Sequence, residues 1–377
     1  MNELKNERSR CAMTKGKGKP QVLVLCPPPE ESGGVAHYYS LVGKHFRSDA
    51  LNLEFFYTGS RSASSGGGRS YQPLVDLAAL QKRLSRHDLV VLNPSLDPKS
   101  LIRDGVYHLV ARLNGLKTIV FFRGWSPKWE GVIERYAQGL FRRVFAADRL
   151  VVLCSRFGER LTSWGIPGAT IVQETTTYEH HDCEVVNDPR RIVFLSRFAQ
   201  GKGCLIAIKA LERLLPRFPE LKLYMVGDGE LRSELAAYVQ QRGLAAHVEF
   251  TGWLSGEPKY RLLAQCGIML FPTDYGEGMP NALVEGMGMG MAIVSRPVAG
   301  IADIIADGEN GFLVPSLDPT DFADRVAALL DDPGLWQAIS QCNRKLGRER
   351  FSITSVVARL ESLYLDLLRQ RKGGTDG

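Results

Sequence analysis

A chain of 377 residues, 44% hydrophobic and 23% charged, is too long for one ordinary core and too apolar for a disordered chain, so two globular units are expected. No apolar run approaches the roughly 18 residues of a membrane-spanning helix, and seven dispersed cysteines without a C-x-x-C pair argue for reduced cytoplasmic thiols against a disulfide framework or zinc site. The net charge of +6 is uneven: residues 1–187 hold 25 Lys+Arg against 18 Asp+Glu, and residues 188–377 hold 22 against 23.

Residues 1–19 read as a basic, unstructured tail with no apolar stretch of the secretory kind. Short β-type runs follow at Val22–Leu25, Leu53–Tyr57, Leu89–Leu92, Thr118–Phe122 and Leu150–Leu153, with helix-patterned segments between most of them. Gly33 and Gly34 come directly after the first run, but no G-x-G-x-x-G is formed, so the dinucleotide reading fails. His37 falls just beyond, where a hydrogen-bonded loop histidine is the ordinary expectation. The Gly/Ser-rich Gly59–Ser70 reads as a loop. Arg135–Arg149, "RYAQGLFRRVFAADR", is basic and amphipathic, suited either to packing on its own sheet or to an anionic lipid surface. A polar stretch, His180–Arg190, is the expected hinge. Its His180-His181-Asp182-Cys183 lacks the second cluster that a metal site needs.

The second half repeats the scheme at Ile192–Leu195, Leu221–Val226, Val248–Thr251, Ile268–Phe271, Ala292–Ser295 and Gly311–Val314. Apolar runs alternating with helices predict two parallel α/β sheets. In such sheets ligands bind at the carboxyl ends of the strands, so two of them facing each other enclose a cleft. The segment "DYGEGMPNALVEGMGMGMAIVS" (Asp274–Ser295) predicts a helix from Pro280 to about Met289, with Pro280 at its first position. Glu277 then lies in the loop before that helix and Glu285 in its second turn. Free amides at Gly278, Met279, Asn281 and Ala282, with the positive end of the helix dipole, suit a phosphate. Carboxylates beside a phosphate suit hydroxyls, and a ligand carrying both is a nucleotide sugar.

"EGMPNALVEGMGMGMAIVS" resembles the E-x7-E signature of family 4 retaining glycosyltransferases of GT-B fold. The resemblance implies a GT-B architecture of two Rossmann-like parallel-sheet domains facing across a cleft. It gives Glu277 the hydroxyls of the donor sugar and Glu285 those of the ribose, with Gly278, Met279, Pro280 and Asn281 at the phosphate. "RIVFLSRFAQGKG" is similar to the family's diphosphate clamp, which makes Arg197 and Lys202 the cations that stabilise the leaving diphosphate. "LYMVGDGEL" resembles the glycine loop near the nucleoside and brings in Gly227; "VEFTGWL" resembles the strand whose following loop meets the base, at Trp253 and Leu254. "VAGIADIIADGENGFLV" matches a further motif, with Asp303 where glutamate is usual.

In the first half, Gly33 and Gly34 resemble the family's acceptor-side loop, with His37 beside it. "FFRGW" puts Arg123 or Trp125 where many members carry a histidine, and "QETTTYEHHD" replaces the usual "NGhD". The implied division is an acceptor domain, 20–183, joined by a C-terminal helix, 353–370, and a donor domain, 184–352. The implied activity is retaining transfer of a sugar from a UDP- or GDP-linked donor to a glycan or lipid-linked acceptor in cell-surface polysaccharide synthesis. No metal is expected, since no D-x-D triplet exists, and neither a cofactor beyond the nucleotide-sugar cosubstrate nor a nucleic-acid partner is expected. A cytoplasmic location, with peripheral contact at the inner face of an anionic membrane, is the accompanying expectation. Two rivals stay open: a nucleotide-sugar 2-epimerase of the same fold, and a non-catalytic sugar-nucleotide-binding subunit.

Overall fold

The computed structural model describes residues 18–31, 33–58, 72–179, 184–276 and 278–370; the expected Gly59–Ser70 loop, the tail through residue 17 and the His180–Cys183 run lie outside the described residues. The first lobe is built on β1 (Gln21–Cys26), β2 (Asn52–Tyr57), β3 (Leu89–Leu92), β5 (Lys117–Phe121), β7 (Arg149–Val152) and β8 (Ile171–Gln173), all parallel, in the order β2-β1-β3-β5-β7-β8. Two short strands, β4 (Ser95–Leu96) and β6 (Gly124–Trp125), pair with each other beyond its carboxyl edge. Its helices are α1 (Gly34–His45), α2 (Gln72–Leu84), α3 (Pro98–Leu113), α4 (Pro127–Val132), α5 (Gln138–Val144) and α6 (Ser155–Ser163). Every residue of β3 is buried, as a continuous Leu/Val run between two helical layers requires. At α3 the Asp97 carboxylate accepts the Ser100 N–H at 3.0 Å and Pro98 takes the first position.

The second lobe carries β9 (Asp188–Leu195), β10 (Lys222–Val226), β11 (Val248–Gly252), β12 (Cys266–Phe271), β13 (Ala292–Ser295) and β14 (Gly311–Leu313), again all parallel, in the order β11-β10-β9-β12-β13-β14. Counted within the lobe this is 3-2-1-4-5-6, the doubly wound Rossmann order. Between the strands run α7 (Cys204–Leu214), α8 (Arg232–Gln241), α9 (Gly256–Leu263) and α10 (Asn281–Gly288), followed by α11 (Pro319–Asp331) and α12 (Pro333–Leu346). The chain then returns: α13 (Ile353–Arg369) lies on α1, and its Leu360, Tyr364 and Leu367 share one core with Tyr38, Tyr39 and Val42. Arg359 of α13 binds the buried Glu174 of the first lobe at 2.6 Å. The two crossings lie side by side, with Tyr178 N–H on Phe351 O at 3.2 Å and Ile353 N–H on Tyr178 O at 2.9 Å.

Three expectations shift. The hinge ends sooner, because β9 begins at Asp188; the absence of a side chain at Gly267 lets the Asp188–Pro189 backbone run against β12, where a β-carbon would stand 2.6 Å from it. Arg135–Arg149 is not one helix: a wide turn at Ile133–Ala137 leads into α5, and Arg149 already belongs to β7. The α10 helix starts at Asn281, with Pro280 in extended geometry (ψ 126°) as its cap instead of its first residue. Among the described residues no helix is long and apolar enough to cross a membrane.

Candidate functional site

Each strand order reverses once, between β1 and β3 in the first sheet and between β9 and β12 in the second. The loops leaving those strands define where a ligand fits. In the second lobe they are Ser196–Gly203 and Pro272–Pro280, and they are zipped together. Asp274 N–H donates to Gly201 O at 2.7 Å, and the Thr273 hydroxyl to the same carbonyl at 3.3 Å. Lys202 is buried with its Nζ 3.9 Å from the centre of the Tyr275 ring. Arg197 stands exposed on the same loop. Arg296, from the end of β13, pairs with Asp274 and donates to Pro315 O at 2.8 Å, which adds a third cation to this rim.

Glu277 lies outside the described residues. Gly278 follows it, directly over Gly300: a β-carbon at Gly300 would meet the Gly278 carbonyl at 1.6 Å. Met279 and Pro280 are buried, and Asn281 opens α10 with its side-chain oxygen on the Thr176 hydroxyl of the first lobe. One turn further in, Glu285 is buried and held by Lys259 of α9 at 2.9 Å. Nothing at sequence level marked Lys259, which is 26 residues away in "GEPKYRLL" on a different helix. Tyr275 and Arg296 carried no signal either, although Tyr275 lies within Asp274–Ser295 and Arg296 directly follows it.

Gly227 has φ +142°, and a β-carbon there would lie 1.9 Å from Ser196 O. The glycine loop is therefore held close to the backbone of the Arg197 loop, with Ser196 N–H on Val226 O and Phe198 N–H on Asp228 O closing the junction. Trp253 is 68% exposed and Leu254 is half-buried, at the outer end of the crevice beyond β11.

Across the cleft, Gly34 begins α1 opposite α10: a β-carbon on it would stand 3.5 Å from Asn281 Nδ2. Gly33 precedes it with φ +150°. His37 sits on α1, not in a loop, because the helix begins as early as Gly34. Its Nε2 is buried without a hydrogen-bond partner among the described residues. Burial pushes its imidazole below the ordinary 6.5, with the charge of Glu285 pulling it up and that of Lys259 pushing it down. One residue of the first lobe thus feels the carboxylate–ammonium pair of the second.

Arg123, beyond β5, lies between rings, 3.5 Å from the centre of Phe121 and 3.8 Å from that of Tyr38. Its Nε donates to Asn93 Oδ1 at 3.1 Å, where the Tyr39 hydroxyl also donates, and Asn93 Nδ2 donates to Leu25 O. Arg123 thus ties together the carboxyl ends of β1, β3 and β5. Trp125 goes elsewhere, into the outer core of the first lobe. It stacks on Phe157 at 4.4 Å and its indole N–H donates to the buried Glu130 at 2.6 Å. Of the two residues expected at that place, the structure brings only Arg123 to the sheet's switch point. Among the described residues no group of three His, Cys, Asp or Glu is arranged to hold a metal.

Residues 189–332 match the family model described as "Glycosyl transferases group 1". WcaL of Salmonella typhimurium, whose name makes it a glycosyltransferase of colanic acid biosynthesis, is 26% identical over 262 residues, 66% of this chain and 64% of that protein. The phosphatidyl-myo-inositol mannosyltransferase of Mycolicibacterium smegmatis is 25% identical over 233 residues, 60% of this chain and 58% of its own length. In both, the match spans less than two thirds of the relative. Among solved structures, Anabaena HepE in complex with UDP superposes with a TM-score of 0.69 at 17% identity, covering 92% of this chain and all of that one. By fold this chain is GT-B, and its second sheet is the part that matches the glycosyl transferases group 1 model.

Proposed function

We propose that the protein is a retaining glycosyltransferase of family 4, moving a sugar from a nucleotide-sugar donor to a glycan or lipid-linked acceptor in the synthesis of cell-surface polysaccharide or glycolipid. One observation carries the reading. At the switch point of the second sheet, buried Lys202 lies over the Tyr275 ring on the approach to α10, whose buried Glu285 lies one turn in, and Arg197 is exposed on the same loop as Lys202. Cations at the mouth suit a diphosphate, and a carboxylate behind them suits vicinal hydroxyls. As the glycosidic bond of the donor breaks, charge develops on the diphosphate, where fixed cations stabilise it without reorganising and without a metal. Glu277 is assigned the donor sugar, Trp253 and Leu254 the base, and Gly33, Gly34, His37 and Arg123 the acceptor side. The donor is UDP- or GDP-linked in this reading, and the enzyme works at the cytoplasmic face of a membrane.

The test is thermal stabilisation of the purified protein by UDP, GDP, ADP and their sugar conjugates with EDTA present. A shift selective for one nucleotide, lost in Glu285→Gln, is the expected result. No shift with any of them would count against nucleotide-sugar binding, and so against the transferase and the binding subunit alike. Product formation without an added acceptor, followed by NMR, would favour the epimerase.

A further inference from the structure

Twelve large hydrophobic side chains stand exposed among the described residues, and seven of them fall on four neighbouring elements of the first lobe: α2, α3, the turn Ile133–Ala137 and α5. The concentration is greatest on α3. Ile102, Val106, Leu109 and Leu113 follow a 4-3-4 spacing, which aligns them on one face over roughly 16 Å of helix. They are 70%, 41%, 39% and 86% exposed. The opposite face is the buried one, with Ser100, Asp104, Tyr107, His108 and Ala111 turned to the core. A surface helix that is apolar on its outer side as well lacks the polar face that water ordinarily selects.

Most of the exposed charge around this stripe is basic. Lys99 and Arg112 lie on α3 itself, and Arg135, Arg142 and Arg143 flank Tyr136 and Leu140 on the adjoining segment. The two segments are fixed to each other: His108 Nδ1 contacts Val144 O at 2.6 Å, and Arg112 donates to Arg143 O at 3.1 Å. None of these five cations is in an ion pair with a carboxylate among the described residues. The acids nearby are engaged: Asp104 is buried against Arg103 and Ser100, and Glu134 is held by Arg160 at 2.7 Å.

We infer that this face of the first lobe docks on an anionic lipid bilayer, with α3 lying in the plane of the interface. Aliphatic side chains ringed by cations that form no ion pair among the described residues match the acyl boundary and the anionic headgroups above it. A second copy of this chain is a poorer occupant, because the same cations would then oppose one another. The N-terminus of α3 emerges from the carboxyl edge of the sheet, next to Asn93, so a docked molecule holds its cleft at the membrane surface. The placement deepens the proposed function by committing the acceptor to one anchored in lipid.

Flotation of the full chain with phosphatidylglycerol-rich vesicles and with vesicles of phosphatidylcholine alone tests it. The chain is expected to float with the former only, and less as salt rises. Ile102→Asp/Leu109→Asp and, separately, Arg142→Glu/Arg143→Glu should each lower vesicle binding at least tenfold with unchanged circular dichroism, since all four positions are exposed. No flotation of the native chain, or flotation of both variants equal to that of the native chain, overturns the proposal. So does a dimer in light scattering that Ile102→Asp/Leu109→Asp dissolves. Nucleotide-dependent thermal shift on the same samples separates the two readings. A shift without flotation counts against docking alone, and flotation without a shift counts against the transferase alone.

Discussion

Asp303 of the second lobe caps a helix of the first. Its Oδ2 accepts the Ser155 N–H at 2.6 Å and its Oδ1 accepts the Ser155 hydroxyl at 2.7 Å, while Gln173 Nε2 donates to Oδ2 at 2.8 Å. Ser155 is the first residue of α6, where orphan amides and the helix dipole favour a carboxylate. The usual partner of such an amide comes from the residue just before the helix, but here Cys154 supplies no cap and the other lobe provides it. Asp303→Ala should therefore cost about 1 kcal/mol of stability, as a lost cap does, and should widen the separation of the lobes. Small-angle scattering and urea unfolding check both. An unchanged scattering curve would mean the lobes are held by Asn281–Thr176 and the shared core without this contact.

The Lys259–Glu285 pair joins a half-buried ammonium to a buried carboxylate, so removing the lysine strands a carboxylate away from water. Lys259→Met alone should destabilise by about 3–5 kcal/mol, whereas Lys259→Met with Glu285→Gln should recover much of the loss. Chemical denaturation of the two variants decides it, and additivity of the single losses would show that the pair is not coupled.

Lys202→Ala should lower turnover by about 10²–10³ if the diphosphate clamp is correctly assigned, with circular dichroism unchanged. Near-native kinetics would remove Lys202 from the chemistry. Gly227→Ala tests the same loop through the backbone. Its β-carbon would meet Ser196 O at 1.9 Å, and φ +142° already disfavours a side chain. The variant should push the Arg197 loop away, weakening nucleotide binding even though position 227 has no side chain to offer a ligand.

His108 carries a pH dependence of its own. It is buried between Val144 O and the Thr118 hydroxyl, and burial pushes its imidazole from 6.5 down to about 4. The unfolded chain takes up the proton first, so stability is fully present above pH 6.5 and declines as the pH falls toward 4. His108→Gln should flatten the melting temperature over that window. An equally steep profile in the variant would place the acid sensitivity elsewhere.

The central strands were legible because continuous runs such as Leu89–Leu92 and Ile268–Phe271 have no other stable setting than a covered sheet. The edge strand β8 was not, since three residues at a border carry no period. The loops at the carboxyl edge of the second sheet were legible because polar residues and glycines separate its apolar runs. What escaped were contacts between elements: Lys259 under Glu285, and Asp303, noticed as a departure from a pattern yet not as a cap. Arg123 and Trp125 are two residues apart, and only packing separates them. The indole fills a space among Phe157 and Trp164, and the guanidinium lies between Phe121 and Tyr38.

The return of α13 to the first lobe has a consequence for synthesis. Tyr38, Tyr39 and Val42 are made early, yet the residues that cover them, Leu360, Tyr364 and Leu367, are translated only after the whole second lobe. While the ribosome is adding residues 188–352, the first lobe presents an uncovered apolar flank, and Glu174 waits without Arg359. The second lobe can close from contiguous sequence. The lobe that begins first is therefore finished last, and its exposed interval is the stage at which chaperones would be needed most.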